Sequence, residues 1–169
     1  PESLARFPAD RMPLPATWND DLTSRPAYLK TARNRMQALE YGYDKPDAIR
    51  RHIARYLAAV HETDAAIGRV MDALDRLGLA ERTVVILMGD NGWFLGEHGF
   101  TSKVLPYEES MRVPLVVAGP GVRKGAVEDR LVLNIDVGAT IPDLAGLPVD
   151  ATQHGRSLAP LLREAPGIV

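Results

Sequence analysis

The amino-acid sequence predicts an α/β fold with a mainly parallel sheet flanked by helices. Three observations favour this class. Residues 49–74 repeat apolar side chains at three- and four-residue steps, as a long amphipathic helix does. Two short apolar runs rich in β-branched residues, 83–88 and 114–118, follow that segment. Glycine and proline bound both runs, which is typical of strands buried on both faces, and such strands occur mainly in parallel sheets.

The part of the chain before the long helix has weaker signals. Residues 1–26 predict an irregular arm, because four prolines among polar residues disfavour regular helix and central strand. A short helix is predicted over residues 28–39, and residues 44–47 supply a turn and a capping signal ahead of the long helix. Gly78 ends the helical pattern, as a C-terminal cap does.

The C-terminal third predicts one more strand and two helical segments. The apolar run 131–133 is interpreted as a third strand that leads into a helix over residues 137–146, with Asp136 as its cap. A further turn of helix is predicted within residues 155–162. Residues 1–169 are therefore interpreted as a single partial domain with an arm (1–26), an α/β body (27–163) and a tail (164–169).

Composition excludes several functions. The formal charge of -2 arises from 20 basic and 22 acidic side chains mixed along the chain, so no nucleic-acid or membrane partner is predicted. No apolar stretch approaches the roughly 20 residues of a membrane-spanning helix. The absence of cysteine excludes a disulfide, a zinc-thiolate site and a cysteine nucleophile in this sequence. The proline-rich start without methionine indicates a piece of a longer protein.

Asp90 and Asn91 stand where the first predicted strand ends, which is where α/β sheets gather ligand-binding groups. A carboxylate and a carboxamide offer oxygen donors to a hard divalent cation, so Ca²⁺ is predicted here and Mg²⁺ fits less well. Zinc is better served by imidazole and thiolate ligands. Two donors do not complete a calcium shell of six to eight oxygens. The alternative interpretation is that residues 90–92 form only a turn.

The loop after these residues carries further candidate site residues. Lys103 can hold an anionic group and offset charge on a leaving oxygen, and His98 can donate or accept a proton. Trp93 is interpreted either as one wall of a substrate pocket or as a packing residue. A single histidine or lysine on a loop is usually only solvated, so the prediction depends on their grouping behind one strand.

Three other motifs give little support for a function. His61-Glu62-Thr63-Asp64 lacks the second histidine of a zinc-protease helix and is interpreted as a polar patch. Gly119-Pro120-Gly121 lacks the ending of a phosphate-binding loop and is interpreted as a turn after a strand. Glu109 and Arg112 are predicted to form a local ion pair.

The combined pattern resembles the C-terminal signature region of type I sulfatases, which belong to the alkaline-phosphatase-like superfamily. The resemblance covers most of the chain, from about Pro13 to Leu162. It is carried by Asp90-Asn91-Gly92, Leu95-Gly96-Glu97-His98-Gly99, Lys103, Tyr107-Glu108-Glu109-Ser110 and Arg112-Val113-Pro114, with support from Tyr56-Leu57-Ala58-Ala59-Val60, Ile67-Gly68-Arg69-Val70, Gly119-Pro120-Gly121, Asn134-Ile135-Asp136 and Gly155-Arg156-Ser157-Leu158.

This resemblance implies a role for each candidate residue. Asp90 and Asn91 would be calcium ligands, and Lys103 would contact the sulfate and its bridging oxygen. His98 would contact the substrate or its leaving group. The implied substrate is a small-molecule or glycan sulfate ester. The implied location is periplasmic or secreted, while the sequence itself leaves the compartment open, the cytoplasm included.

The sequence also departs from the family pattern. Sulfatases make a formylglycine nucleophile from Cys or Ser in a Cys/Ser-x-Pro-x-Arg motif, and the nearest string here, Ser24 to Tyr28, ends in the wrong residue. The family's N-terminal pair of metal-binding aspartates is also absent. We therefore expect a C-terminal portion that lacks the N-terminal part of the sheet, is inactive alone and self-associates through exposed apolar edges.

Two alternatives stay open from the sequence. One is a phosphonate- or phosphate-ester hydrolase of the same superfamily. It is disfavoured by Asn91, because such relatives usually place histidine at the corresponding position. The other is a non-catalytic binding domain that retains the fold.

Overall fold

The computed structural model describes residues 2–163, so Pro1 and the predicted tail 164–169 lie outside the described residues. The described residues form two compact units, one made of residues 2–70 and 91–113 and the other of residues 71–90 and 114–163. Its helices are α1 (Glu2–Ala5), α2 (Arg33–Glu40), α3 (Pro46–Arg76), α4 (Glu108–Met111), α5 (Asn134–Leu144) and α6 (Ala159–Arg163). Its strands are β1 (Val85–Met88), β2 (Phe94–Leu95), β3 (Thr101–Ser102) and β4 (Leu115–Ala118).

Helix α3 confirms the prediction from apolar periodicity. Pro46 opens the helix at a position where a missing N–H costs nothing, and Asp47 lies in the first turn, where a negative charge is favourable. The helix ends in a glycine cap, because Gly78 adopts φ +65° and its N–H donates to the Asp75 carbonyl, 3.0 Å away. The N-terminal half of α3 supplies the buried residues Ala48, Ile49, Ile53, Ala54 and Ala58.

The first unit is built around two apolar clusters. One joins the predicted arm to the hairpin of β2 and β3, and it consists of Leu22, Leu29, Phe94 and Phe100 with Leu105 and Tyr107 against it. The other packs α2 against α3 through Ala38, Tyr43, Ile49 and Ile53. The arm is irregular apart from α1 and a short 3₁₀ turn at Ala9–Arg11, yet Leu22 within it is 1% exposed. The arm is therefore part of the core packing.

The predicted direction of the main strand pair is wrong, because β1 and β4 are antiparallel. Val85 pairs with Ala118 and Met88 with Leu115, so the intervening chain leaves and re-enters at the same end of the pair. The Gly89 N–H donates to the Pro114 carbonyl (3.1 Å), which extends the ladder at that end. A parallel pair would need a crossover back along the full length of the strand.

The second unit also shows less burial of its strands than predicted. Leu87 and Val116 face each other across the β1–β4 pair and are 40% and 55% exposed. Exposed apolar side chains of this kind are the reason to expect self-association, which stays a prediction.

The third predicted strand, residues 131–133, is not a strand in the structure. Leu131 is 91% exposed, and the Leu133 N–H donates to the Asp136 carboxylate, 2.8 Å away, instead of to a neighbouring strand. That hydrogen bond confirms Asp136 as a capping residue of α5. The same carboxylate accepts from the Arg156 N–H (2.8 Å), and this contact fixes the segment ahead of α6.

Candidate functional site

A β-hairpin that the sequence interpretation missed positions most of the candidate residues. Phe94 pairs with Ser102 and Leu95 with Thr101, so β2 and β3 are antiparallel neighbours. Trp93 directly precedes β2 and Lys103 directly follows β3, so the two open ends of the hairpin lie side by side. His98 lies in the hairpin loop with φ +52°, a left-handed conformation that is uncommon outside glycine.

Lys103 and Asn91 are brought together by this register although they are 12 residues apart. The Lys103 ammonium donates a hydrogen bond of 2.7 Å from Nζ to the carboxamide oxygen Oδ1 of Asn91. The Asn91 Nδ2 donates in turn to the Gly92 carbonyl (2.8 Å), which fixes the orientation of the amide. A positive charge and an oxygen donor thus occupy one end of the hairpin.

The backbone around Lys103 is held in a strained conformation. Ser102 and Val104 have φ values of +68° and +88°, both in the left-handed region that disfavours such residues. Asn34 on α2 compensates by donating from its Nδ2 to the carbonyls of Thr101 (2.9 Å) and Lys103 (2.5 Å). The Val104 N–H donates to Ser110 Oγ (3.0 Å). These contacts determine where the Lys103 side chain begins.

His98 is buried against the aromatic cluster and paired with a carboxylate. Its Nδ1 lies 2.8 Å from Asp20 Oδ2, and its ring centroid lies 5.0 Å from that of Tyr107. The hydrogen bond with His98 is the largest cause that lowers the pKa of the Asp20 carboxyl, and the Leu22 N–H, which donates to Asp20 Oδ1, is the second. Asp20 is therefore ionised at neutral pH.

The remaining candidates are Trp93 and Asp90. Trp93 is 42% exposed, which leaves part of its ring available to a ligand. Asp90 follows β1 in the second unit, and its backbone carbonyl accepts a hydrogen bond from Asn134 Nδ2 (3.0 Å). The predicted Glu109–Arg112 ion pair is wrong, since Arg112 Nη1 lies 3.8 Å from Glu108 Oε2 instead.

The sequence interpretation did not identify Asp20, Asn34 or Thr17 as contributors to this site. Thr17 Oγ1 accepts from the backbone N–H of His98 (3.2 Å), 81 residues along the chain. Pairs at such separations leave no periodic signal. The sequence did contain one local signal, the pair Asp20-Asp21. Each carboxylate accepts a hydrogen bond from the N–H two residues further on, in Leu22 and Thr23 respectively, as in an Asx turn.

Acid should weaken the contribution of Asp20 to stability. Because the pKa of Asp20 is lower in the folded chain than its ordinary value, its stabilising effect is fully present above that ordinary value, about 3.9, and is lost as the pH falls through the folded pKa. Urea denaturation from neutral pH to about pH 2 should show the wild-type chain losing more stability than Asp20→Asn. Parallel losses in the two proteins would contradict this expectation.

Solved structures with the same fold provide the first comparison. The chain matches BT4656, which was solved with its substrate D-glucosamine-2-N,6-O-disulfate, at a TM-score of 0.79 and 25% identity over 96% of this chain and 44% of that one. It matches the phosphonate monoester hydrolase of Silicibacter pomeroyi at a TM-score of 0.82 and 28% identity, over 94% of this chain and 33% of that one. These matches show that the chain has the fold of the alkaline-phosphatase-like superfamily.

The sulfatase family model matches residues 13–147, and the chain belongs to the sulfatase family. It is 37% identical over 108 residues to the N-acetylglucosamine-6-O-sulfatase of Bacteroides thetaiotaomicron, which covers 63% of this chain and 19% of that protein. It is 39% identical over 111 residues to human arylsulfatase K, which covers 66% of this chain and 21% of that protein. The chain thus spans about a fifth of the length of these two relatives. The resemblance to sulfatases is confirmed.

Across residues 2–163, no helix combines the length and the apolar character that a membrane span requires.

Proposed function

We propose that this chain supplies part of the active site of a sulfatase, in which Lys103 binds the sulfate group of a small-molecule or glycan sulfate ester. The observation that carries the proposal is the 2.7 Å hydrogen bond between Lys103 Nζ and Asn91 Oδ1 in a chain of the sulfatase family. An ammonium held in a fixed place offers charge to the sulfuryl oxygens without reorganisation during the reaction.

The other candidate residues have roles that fit their positions. His98 would contact the leaving-group oxygen, and the exposed part of Trp93 would form one wall of the substrate pocket. A glycan substrate is supported by the names of two similar proteins, an N-acetylglucosamine-6-O-sulfatase and BT4656 with its glucosamine disulfate. A periplasmic or secreted location is supported by similarity to an extracellular sulfatase homologue of Drosophila melanogaster.

Asp90 and Asn91 would hold a calcium ion together with ligands from outside this chain. Their carboxylate and carboxamide oxygens are of the kind that calcium takes, so the donor set fits a hard cation, with Mg²⁺ less suited because it demands stricter geometry. Calcium takes six to eight oxygens, so these two donors fill only part of its shell. Within residues 2–163 no group of three or more His, Cys, Asp or Glu side chains could hold a metal ion. A bound calcium ion supplies charge that stabilises the sulfuryl oxygens.

The nucleophile would also come from outside the chain. The family resemblance implies a formylglycine, and no Cys/Ser-x-Pro-x-Arg motif occurs in the 169 residues. We therefore expect the chain alone to show no turnover of an aryl sulfate in the presence of calcium, while a polypeptide that also carries an upstream formylglycine segment turns over. Turnover by the chain alone that Lys103→Ala abolishes would overturn the claim that the nucleophile is missing.

A phosphonate-ester hydrolase is the second candidate function. It is favoured by the similarity to phosphonate monoester hydrolases of Silicibacter pomeroyi and Agrobacterium radiobacter, with TM-scores of 0.82 and 0.81. The carboxamide at Asn91 favours sulfate instead. Comparing kcat/KM of the active polypeptide on sulfate and phosphonate esters of one leaving group decides between them. Activity on neither ester, despite an intact nucleophile motif, would favour a non-catalytic binding domain.

A further inference from the structure

His98 is held by contacts that act on both its backbone and its ring. Its backbone N–H donates to Thr17 Oγ1 (3.2 Å), and its Nδ1 lies 2.8 Å from Asp20 Oδ2. The side chains of His98 and Asp20 are 11% and 21% exposed, so water competes little for this hydrogen bond. The ring also packs beside Tyr107 and Phe100, with centroids 5.0 and 6.4 Å away. The imidazole is thereby fixed in one orientation.

The contact with Asp20 also determines which ring nitrogen carries a proton. An ionised carboxylate has lone pairs only, so it accepts hydrogen bonds and cannot donate them. Asp20 already accepts from the Leu22 N–H through Oδ1, which leaves Oδ2 to accept from His98. Nδ1 must therefore bear the hydrogen in both the neutral and the charged ring. The neutral ring then has its lone pair on Nε2.

The other ring nitrogen, Nε2, is not fully enclosed by protein. Among residues 2–163, the fully buried side-chain nitrogens without a hydrogen-bond partner are His52 Nδ1 and Arg123 Nε. His98 Nε2 is not one of them, and the described contacts of His98 do not include a hydrogen bond at Nε2. Nε2 therefore keeps some access to solvent, although most of the ring is covered.

We propose that Asp20 is a positioning residue that fixes a hydrogen on Nδ1 of His98 and so presents Nε2 to the leaving-group oxygen of the substrate. In the charged ring, the Nε2 proton passes to that oxygen as its bond to sulfur breaks, and the neutral Nδ1–H ring remains. The second half of this proposal rests on the proposed function, because it needs His98 to contact the leaving group. The first half is a property of this chain alone. Asp20 acts only through His98 and does not itself touch the substrate.

The protonation pattern can be measured on the chain directly. Long-range ¹H–¹⁵N correlation spectra distinguish protonated from unprotonated imidazole nitrogens, and comparison with His98→Gln assigns the signal among the four histidines. We expect the neutral ring of His98 to show a protonated Nδ1 and an unprotonated Nε2. In Asp20→Asn the amide can donate as well as accept, so the pattern should shift towards a protonated Nε2. Asp20→Glu, which keeps the carboxylate, should restore the original pattern.

A neighbouring carboxylate provides the matched control. Asp21 accepts from the N–H and hydroxyl of Thr23 and has no hydrogen bond with His98, so Asp21→Asn should leave the His98 pattern unchanged. A neutral wild-type ring with its proton on Nε2 would overturn the proposal, even if Asp20→Asn fails to fold. An Asp20→Asn chain that folds and keeps the wild-type pattern would overturn it as well.

Kinetics on the active polypeptide then test the role of Nε2. We expect Asp20→Asn to lower kcat about 10–100-fold, as the loss of an orienting partner does, with a smaller change in KM. The effect should be larger for an alkyl sulfate than for an activated aryl sulfate, whose leaving group needs less help. If the tautomer is as expected but His98→Gln retains full activity on both esters, His98 does not act on the leaving group and that part of the proposed function is wrong. The finding that Asp20 fixes the proton on Nδ1 would still stand.

Discussion

Replacing Lys103 by alanine should lower kcat for sulfate-ester hydrolysis about 10²–10³-fold in a polypeptide that carries this chain and its nucleophile, the range found when one charge-stabilising donor is removed from an active site. The Lys103 ammonium, held 2.7 Å from Asn91 Oδ1, would otherwise stabilise the negative charge that develops on the sulfuryl and bridging oxygens. Steady-state kinetics with an aryl sulfate measure the change. Lys103→Arg should recover only part of the loss, because a planar guanidinium does not replace a compact ammonium.

A matched control separates this local effect from a change in net charge. Lys124 is also exposed and lies in the second unit, so Lys124→Ala removes the same charge without touching the hairpin. We expect it to retain the wild-type kcat. If the two alanine variants behave alike, Lys103 has no special role at the reacting sulfate.

Replacing Gly92 by alanine should destabilise the fold by about 1–3 kcal/mol, the usual cost of overpacking a closed site. A Cβ at this position would lie 2.1 Å from the backbone carbonyl oxygen of Glu109, which cannot swing away as a flexible side chain can. The Gly92 N–H also donates to the Ser110 carbonyl (2.9 Å), so any movement that relieves the overlap strains that hydrogen bond. Urea denaturation measures the loss of unfolding free energy.

Gly68 provides a control, because alanine at this position is expected to raise the free energy of unfolding instead of lowering it. It lies within α3, and a Cβ added there would meet no atom within 4 Å. Gly68→Ala should stabilise the chain by about 0.5–1 kcal/mol, because alanine loses less conformational entropy than glycine in a helix. If Gly92→Ala proves as harmless as Gly68→Ala, the close backbone approach at Gly92 is not rigid.

The helices were more predictable than the strands for a physical reason. Every turn of α3 repeats the same local contact pattern, so its length and its glycine cap could be predicted from spacing alone. Strand direction depends on where the chain re-enters the sheet, and the apolar runs that became β1 and β4 contain nothing that encodes that path. The run 131–133 looked equally strand-like, but the Leu133 N–H forms its hydrogen bond with the cap of α5.

The candidate site shows the same division between local and distant information. Asn91, His98 and Lys103 could be proposed as candidates because they lie within 13 residues of one another and form one motif. Asp20 and Asn34 could not, since each reaches its partner across more than 60 residues and only the folded backbone brings them together. The hairpin was missed because each of its strands is two residues long, too short for an alternating pattern.

The amide of Asn34 restricts which sequences can present a lysine in this way. It uses both of its hydrogens on the carbonyls of Thr101 and Lys103, so an aspartate of the same shape would turn two attractions into two repulsions. A leucine would leave both carbonyls without a donor. Position 34 therefore constrains the backbone at position 103 whatever side chain stands there: the amide on α2 holds the carbonyl of residue 103, and the lysine side chain is free to serve a ligand only because its backbone is held by another residue.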